Sequence, residues 1–260
     1  MSDLLSRVTA FRVAFARRQA AELVDLPGAF AVRDPAFRLS QEHNQLIVAG
    51  SAAGPTGLPE PAELPGLAER GLGPRRRYRV NVLDGPFGER AAPVLEAAGF
   101  ARDTELVLAR ETAGCALPGP AAASAELAEL CAAVHAQQLR WFGDEELSRQ
   151  LTERRAVRLA GAEEVRFLAV RDPGSGEVAA WADLYLDRAA GLAQLEDLVT
   201  AEPHQGKGYG ERLLATGLAL AERAGIPWFF LLADAADWPH AWYRRRGFRE
   251  IGRSHTFLSS

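Results

Sequence analysis

Gln205-Gly206-Lys207-Gly208-Tyr209-Gly210 is the segment whose residue types and spacing most plainly suit chemistry. Glycines at three of five positions let consecutive backbone N–H groups turn toward one point. A long helix is predicted to begin at Gly208, adding unpaired N–H groups and the positive end of its dipole. Together these make a cradle for an anion, and a diphosphate suits it. Lys207 is the single lysine among 30 basic residues, and its flexible ammonium falls inside this loop. A magnesium-dependent phosphate loop would place Ser or Thr after the lysine, but Gly208 stands there. A dinucleotide fingerprint would close on glycine, but Glu211 occupies that position. Cys131 and His135, four apart, are two ligands and do not make a zinc site, so no metal is expected.

The chain that must position this loop has 260 residues, enough for one large domain or two small ones. Hydrophobic residues make up 48% and charged residues 25%, which supports a packed core and excludes a mostly disordered chain. A net charge of -4 argues against nucleic acid or an anionic membrane as partner. No apolar run is long enough to span a bilayer, and arginines interrupt the N-terminal stretch where a signal peptide would lie. Two cysteines cannot build a disulfide framework, so a cytoplasmic protein is expected.

Periodicity predicts a helix from Asp3 to Leu23, broken by Leu26-Pro27-Gly28. Strands are expected at Phe30–Arg33, Leu46–Ala49, Tyr78–Leu83 and Thr104–Arg110. Helices are expected near 62–71 and 91–98, and 50–66 reads mainly as a Gly/Pro-rich loop. Residues 113–123 have a linker's composition, dividing a first domain, 1–112, from a second, 124–260. In the second, Ser124 and Asp144 are candidate caps for two helices, the second ending near Ala160. Strands follow at Val165–Arg171, Val178–Leu186 and Leu192–Thr200, with Asp172–Gly176 as a hairpin turn. A helix over Gly208–Ala224, a strand Trp228–Ala233, a short helix capped by Asp237 and a last strand Phe248–Leu258 complete the chain. Residues 78–110 and 228–258 share one order: strand, Asp, short helix, Gly-Phe, strand. This weak internal repeat suggests two related domains.

At this point the residues resemble a family. The loop Gln205–Gly210 is similar to the Gln/Arg-x-x-Gly-x-Gly/Ala pyrophosphate loop of the GNAT superfamily of N-acetyltransferases. Tyr243-Arg244-Arg245-Arg246-Gly247-Phe248 resembles that family's Tyr-x-x-x-Gly-Phe corner, and the element order after Ala125 is similar too. Leu195-Glu196-Asp197 resembles the Leu-Glu-Asp of diamine acetyltransferases. The resemblance implies an α/β (α+β) fold of two lobes, each a mixed, mostly antiparallel sheet flanked by helices. It implies acetyl-CoA as co-substrate, with pantetheine along Leu198, Val199 and Thr200. The diphosphate would lie against Gln205, Gly206, Lys207, Gly208, Tyr209, Gly210 and Glu211. It also implies direct transfer to an amine, without an acyl-enzyme. Where many members carry an Asn about seven residues before the tyrosine, this chain has Ala236 and Asp237, so Asp237 is the candidate for that contact.

A primary alkylamine has a pKa of about 10.4, so roughly one molecule in 10³ is nucleophilic at neutral pH. Glu196 is the candidate base that takes the ammonium proton, directly or through water. Asp197 should face the other way by strand alternation, and orients the acceptor only if a bulge re-aims it. Tyr243 matches the family residue that protonates the leaving thiolate. A backbone N–H near Leu198 or Val199 would stabilise charge on the thioester oxygen.

The first half shares the Gly-Phe corner but lacks the loop, and resembles the degenerate lobe of tandem GNAT proteins. It either builds part of the acceptor pocket or serves stability or dimerisation, and a homodimer is compatible with it. The acceptor is expected to be a small-molecule amine. The alternative function is a non-catalytic acyl-CoA-binding sensor, which would keep the loop but not need Glu196 and Tyr243.

Overall fold

The computed structural model describes residues 2–50, 57–117 and 121–260. In chain order the first elements are α1 (Ser2–Gln19), β1 (Glu22–Leu26), β2 (Ala29–Arg33), β3 (Gln45–Val48), α2 (Leu64–Leu72), β4 (Arg79–Val82), α3 (Gly85–Ala97) and β5 (Phe100–Glu111). Then come β6 (Ala123–Ala125), α4 (Leu127–Phe142), α5 (Glu145–Glu153), β7 (Glu164–Arg171), β8 (Val178–Asp187) and β9 (Leu192–Thr200). The last are α6 (Tyr209–Arg223), β10 (Trp228–Asp234), α7 (Pro239–Arg244) and β11 (Arg249–Ser259). The strands pair in a mixed, mostly antiparallel arrangement flanked by helices. Among the described residues no helix is long and apolar enough to cross a membrane.

The residues divide into two compact units, Met1–Ala109 with Leu232–Ser260, and Arg110–Leu231. In the first, strands lie in the order β1-β2-β3-β4-β11-β5. All these pairs are antiparallel except β3 with β4, which is parallel. The core gathers Leu46, Val48, Leu67, Val80, Val82, Phe87, Leu95 and Phe257. In the second unit the order is β10-β9-β8-β7-β6, with β9 and β10 parallel and the other pairs antiparallel. Here Leu130 and Val134 of α4 pack on Phe167, Ala169 and Trp181. On the other face Gly217 brings α6 close: a Cβ there would stand 3.3 Å from both Leu195 and Phe229.

These units and the lobes drawn at 1–112 and 124–260 differ over where 232–260 belongs. The reason is β11. It pairs antiparallel with β4 over His255–Leu258 and with β5 over Arg249–Ser259, which ties the last strand into the first unit's sheet. The expected linker is also held in place where it is described. Gly114 and Cys115 N–H groups donate to the Glu222 carboxylate at 2.7 and 2.8 Å, and Ala122 N–H donates to Thr216 Oγ1 at 3.0 Å. Residues 118–120 of that linker, and 51–56 of the early Gly/Pro-rich loop, lie outside the described residues.

Several local expectations are corrected. The first helix stops at Gln19 rather than Leu23, because 22–26 form a hairpin strand against 29–33 across Pro27-Gly28, with Gly28 at φ +68°. Helix α3 begins at Gly85, since the Asp84 carboxylate accepts from Phe87 N–H and caps it. Ser124 is not a cap. It sits in β6 opposite Leu168, and Glu126 begins α4 in a capping box with Glu129. Asp144 does cap α5, accepting from Leu147 N–H at 2.9 Å. After α5 the chain tightens into a 3-10 turn over Arg154–Ala160.

The repeated fragment is visible in three dimensions. β4–α3–β5 and β10–α7–β11 each follow a strand that pairs in parallel, β3 with β4 and β9 with β10. Each turns through a glycine of positive φ before its Phe, Gly99 at +86° and Gly247 at +84°.

Candidate active site

The glycine loop lies where the sequence places it, between β9 and α6. A short 3-10 turn, Glu202–His204, leads into it. Gly206 and Gly208 adopt φ of +78° and +75°, which other residues rarely hold. A Cβ on either would meet nothing within 4 Å, so the space before the loop is open and backbone conformation alone demands glycine. Gly210 is required for the opposite reason: its Cβ would stand 3.3 Å from Leu198, so glycine lets α6 approach β9 closely. Gly208 is the N-cap residue and has no side-chain cap, so the first N–H groups of α6 keep their donor capacity. Left-handed glycines, an uncapped helix N-terminus and an exposed lysine fit a diphosphate.

Lys207 and Tyr209 converge on a residue that sequence reasoning passed over. Asp172, just after β7, accepts from Lys207 Nζ at 3.0 Å and from the Tyr209 hydroxyl at 2.9 Å. His204 Nδ1 stands 3.4 Å from the same carboxylate oxygen. The Lys207 ammonium, then the Tyr209 hydroxyl and the Gly174 and Ser175 N–H groups, hold Asp172 well below the usual carboxylate range. Asp172 in turn raises Lys207. Its only sequence signal is its place in the Asp-Pro-Gly turn, which shows a bend but not what its carboxylate meets. A cavity of about 450 Å³ opens nearby, lined by Gln137, Arg140, Arg171, Val178 and His204 among others.

On β9, Glu196, Asp197, Leu198, Val199 and Thr200 are half-buried. Glu196 Oε2 accepts from Gln194 Nε2 at 3.0 Å. The pairing register shifts here: Asp183 is opposite Glu196 and Trp181 opposite Val199. One residue of β8 therefore faces two of β9, a β-bulge. Asp197, at φ +48°, is the only non-glycine residue of positive φ among the described residues. Its carboxylate is held by Arg155 Nη1 at 2.9 Å and Arg158 Nη1 at 2.6 Å. Both arginines also close on Asp183, which is fully buried. Sequence reasoning missed Arg155, Arg158 and Asp183, since in a chain so rich in arginine no single one stands out.

Tyr243 belongs to the first unit. It is 8% exposed, edge-on to Trp242 and Phe248 with ring centroids 5.0 and 5.7 Å away. Burial pushes its phenol up to about 12. Asp237 is exposed, and its carboxylate accepts from Trp238 N–H at 2.7 Å, while Trp238 is the N-cap position of α7. Arg246 lies 3.8 Å over the Trp242 ring, and Arg244 pairs with Glu250 at 2.7 Å. The Cys131 thiol donates to the Leu127 carbonyl and His135 pairs with Glu145, so those two side chains have separate partners. Among the described residues no three His, Cys, Asp or Glu side chains group as metal ligands.

Against this geometry, residues 132–248 match the family model described as Acetyltransferase (GNAT) family. None of the curated proteins matches the chain. Among solved structures, a GCN5-related N-acetyltransferase from Kribbella flavida aligns at a TM-score of 0.60 and 19% identity, covering 98% of this chain and 95% of its own. A functionally unknown conserved protein from Staphylococcus epidermidis aligns at 0.63 and 13% identity, over 92% and 94% of the two chains. A tandem GNAT protein from the clavulanic acid biosynthesis pathway aligns at 0.53 and 15% identity, over 76% and 67%. At these identities the likeness is one of fold.

Proposed function

We propose that the chain is an acetyl-CoA-dependent N-acetyltransferase acting on a small primary amine. The observation that carries this reading is the loop: Gly206 and Gly208 in left-handed conformations, opening the N-terminus of α6 with Lys207 between them. Gln205, Gly206, Lys207, Gly208, Tyr209, Gly210 and Glu211 would hold the diphosphate, and the Leu198–Thr200 backbone the pantetheine. Asp237 stands as a further cofactor contact. Bound acetyl-CoA would supply an activated thioester, whose acetyl group passes directly to the amine in a ternary complex as the C–S bond breaks and CoA leaves as thiolate.

The remaining work falls to the chain's own groups. Glu196 holds the acceptor ammonium and takes its proton, generating the nucleophilic amine. The N–H of Leu198 or Val199 donates to the oxygen on which charge develops. Tyr243 stays protonated at any working pH, because its environment resists ionisation. A phenol so raised is a weaker acid than a thiol, so it stabilises the departing sulfur mainly by donating a hydrogen bond. In this reading the first half, 1–112, is a degenerate GNAT-like lobe, and the catalytic groups come from 124–260.

The test is amine-dependent release of CoA thiol by the full chain, offered a polyamine, an aminoglycoside and a peptide amine in turn. Release above the amine-free rate with at least one class is expected. Acetyl-CoA binding without release from any amine would favour the sensor function instead.

A further inference from the structure

A carboxylate with no exposure, as Asp183 is, must be paired to remain charged. Burial pushes its carboxyl up, and the two guanidiniums that meet it oppose that push. Arg155 Nη2 donates to Oδ1 and Arg158 Nη1 to Oδ2, the latter at 2.5 Å. Because both arginines also bind Asp197, two positive and two negative charges close a ring. Three of its four members are buried, and Asp197 is half-buried.

The ring explains the bulge. Leu195 faces α6 across from Gly217, and plain alternation would send Asp197 to that same face. The bulge turns the Asp197 carboxylate instead to the arginines on Asp183. Asp183 lies directly opposite Glu196, so their side chains share one face of the sheet. The left-handed backbone at Asp197 is unfavourable for a residue with a Cβ, and the ion pairs offset it.

Tyr185 links the ring to Glu196. It is fully buried, its hydroxyl donates to Asp183 Oδ2 at 3.5 Å, and Gln194, the donor to Glu196, lies opposite it. The Tyr185 phenol is held well above its ordinary value, first by burial. Glu196, Asp183 and Asp197 push the same way, and Arg158 pulls against them. Glu196 therefore shares a field with Arg155 and Arg158 of the 3-10 turn, Asp183 and Tyr185 of β8, and Asp197 of β9. The neighbouring positions Phe167, Trp181 and Val199 pack with Leu130 and Val134 of α4 and bring no charge.

We infer that Arg155, Arg158 and Asp183 are positioning residues that clamp the Asp197 bulge, and through it set the aim and electrostatic surroundings of Glu196. Asp197 is then a member of the clamp and not an acceptor-binding carboxylate. The catalytic meaning of the clamp rests on the acetyltransferase reading; its electrostatic effect on Glu196 does not.

The test uses the full chain and two variants. Asp197→Asn removes one negative charge while keeping a residue that tolerates a left-handed backbone. Arg158→Gln removes one positive charge. The Glu196 carboxyl is followed by carbon NMR through its titration, with its signal assigned by loss in Glu196→Gln. In Asp197→Asn the midpoint should fall by about half a unit or more, because excess positive charge favours the ionised carboxyl. In Arg158→Gln it should rise. If Arg158→Gln does not fold, Asp197→Asn alone decides. A folded Asp197→Asn with the wild-type midpoint overturns the inference. With an amine that the wild type acetylates, Asp197→Asn should move the acid limb of kcat/KM in the same direction, with the KM for acetyl-CoA unchanged. A wild type without turnover would count against the acetyltransferase reading, and the titration would still decide the clamp.

Discussion

At the scale of single residues, the proposed mechanism would have Glu196 and Tyr243 move or hold one proton each, and their surroundings suit those tasks differently. Tyr243 is enclosed by Trp242 and Phe248, and its phenol is raised to about 12. It remains a donor throughout the neutral range and supplies no alkaline limb to a pH–rate profile below about pH 11. Tyr243→Phe keeps the ring and removes the donor, so kcat should fall about 10²-fold while acetyl-CoA affinity is unchanged. Unchanged kcat would remove Tyr243 from the mechanism. Glu196→Gln should lower kcat/KM by about 10² at neutral pH and abolish the acid limb, since the amide cannot accept the ammonium proton. A pH profile that keeps its acid limb in that variant would assign the base elsewhere. Glu196 and Tyr243 were legible as candidates because both sit in recognisable local strings. The partners of Asp197 were not. Arg155 and Asp183 are 28 positions apart in sequence, and Asp183 comes beside the Asp197 bulge only through the register of β8 on β9.

At the scale of elements, the β9–loop–α6 unit shows what local sequence can determine. The β9 boundaries match those read from the sequence, Leu192–Thr200, and the loop follows from glycines that only a positive φ or close packing requires. Gly208→Glu should abolish acetyl-CoA binding through strain, bulk and charge at one point, and calorimetry on the folded variant reads this out. The β7–β8 turn adds a less obvious control. Asp172 stays ionised and occupies Lys207 and Tyr209 together. A diphosphate would have to share Lys207 with that carboxylate. Asp172→Asn should therefore tighten acetyl-CoA binding about threefold, with a steeper salt dependence. Weaker binding would mean that the carboxylate instead holds the loop in its binding shape. Cap and helix ends were less legible. Ser124 has the right residue type for a cap, but pairing with Leu168 draws it into a strand, and the capping box moves to Glu126. Tertiary pairing overrode local preference there, as it did for Glu22–Leu26 at the end of α1.

At the scale of the whole molecule, the chain order misleads about which parts form one body. Composition divides it near 113–123, yet β11 completes the sheet of the first unit between β4 and β5. No local signal announces this, because a strand's partners depend on register and not on its own sequence. The consequence can be measured. A fragment spanning 113–260 lacks both partners of β11 and would expose Phe257 and His255, which have no exposure in the full chain. It should show no cooperative thermal unfolding. A fragment that melts cooperatively and binds acetyl-CoA like the full chain would show that the last strand does not need the first half.

If the loop before α6 takes the diphosphate of acetyl-CoA, calorimetric titration of the full chain with acetyl-CoA, with CoA and NADPH as comparisons, will show it. Saturable micromolar binding of acetyl-CoA and CoA, and none of NADPH, is expected. A folded protein that gives no heat with acetyl-CoA, or that binds NADPH equally well, would contradict it.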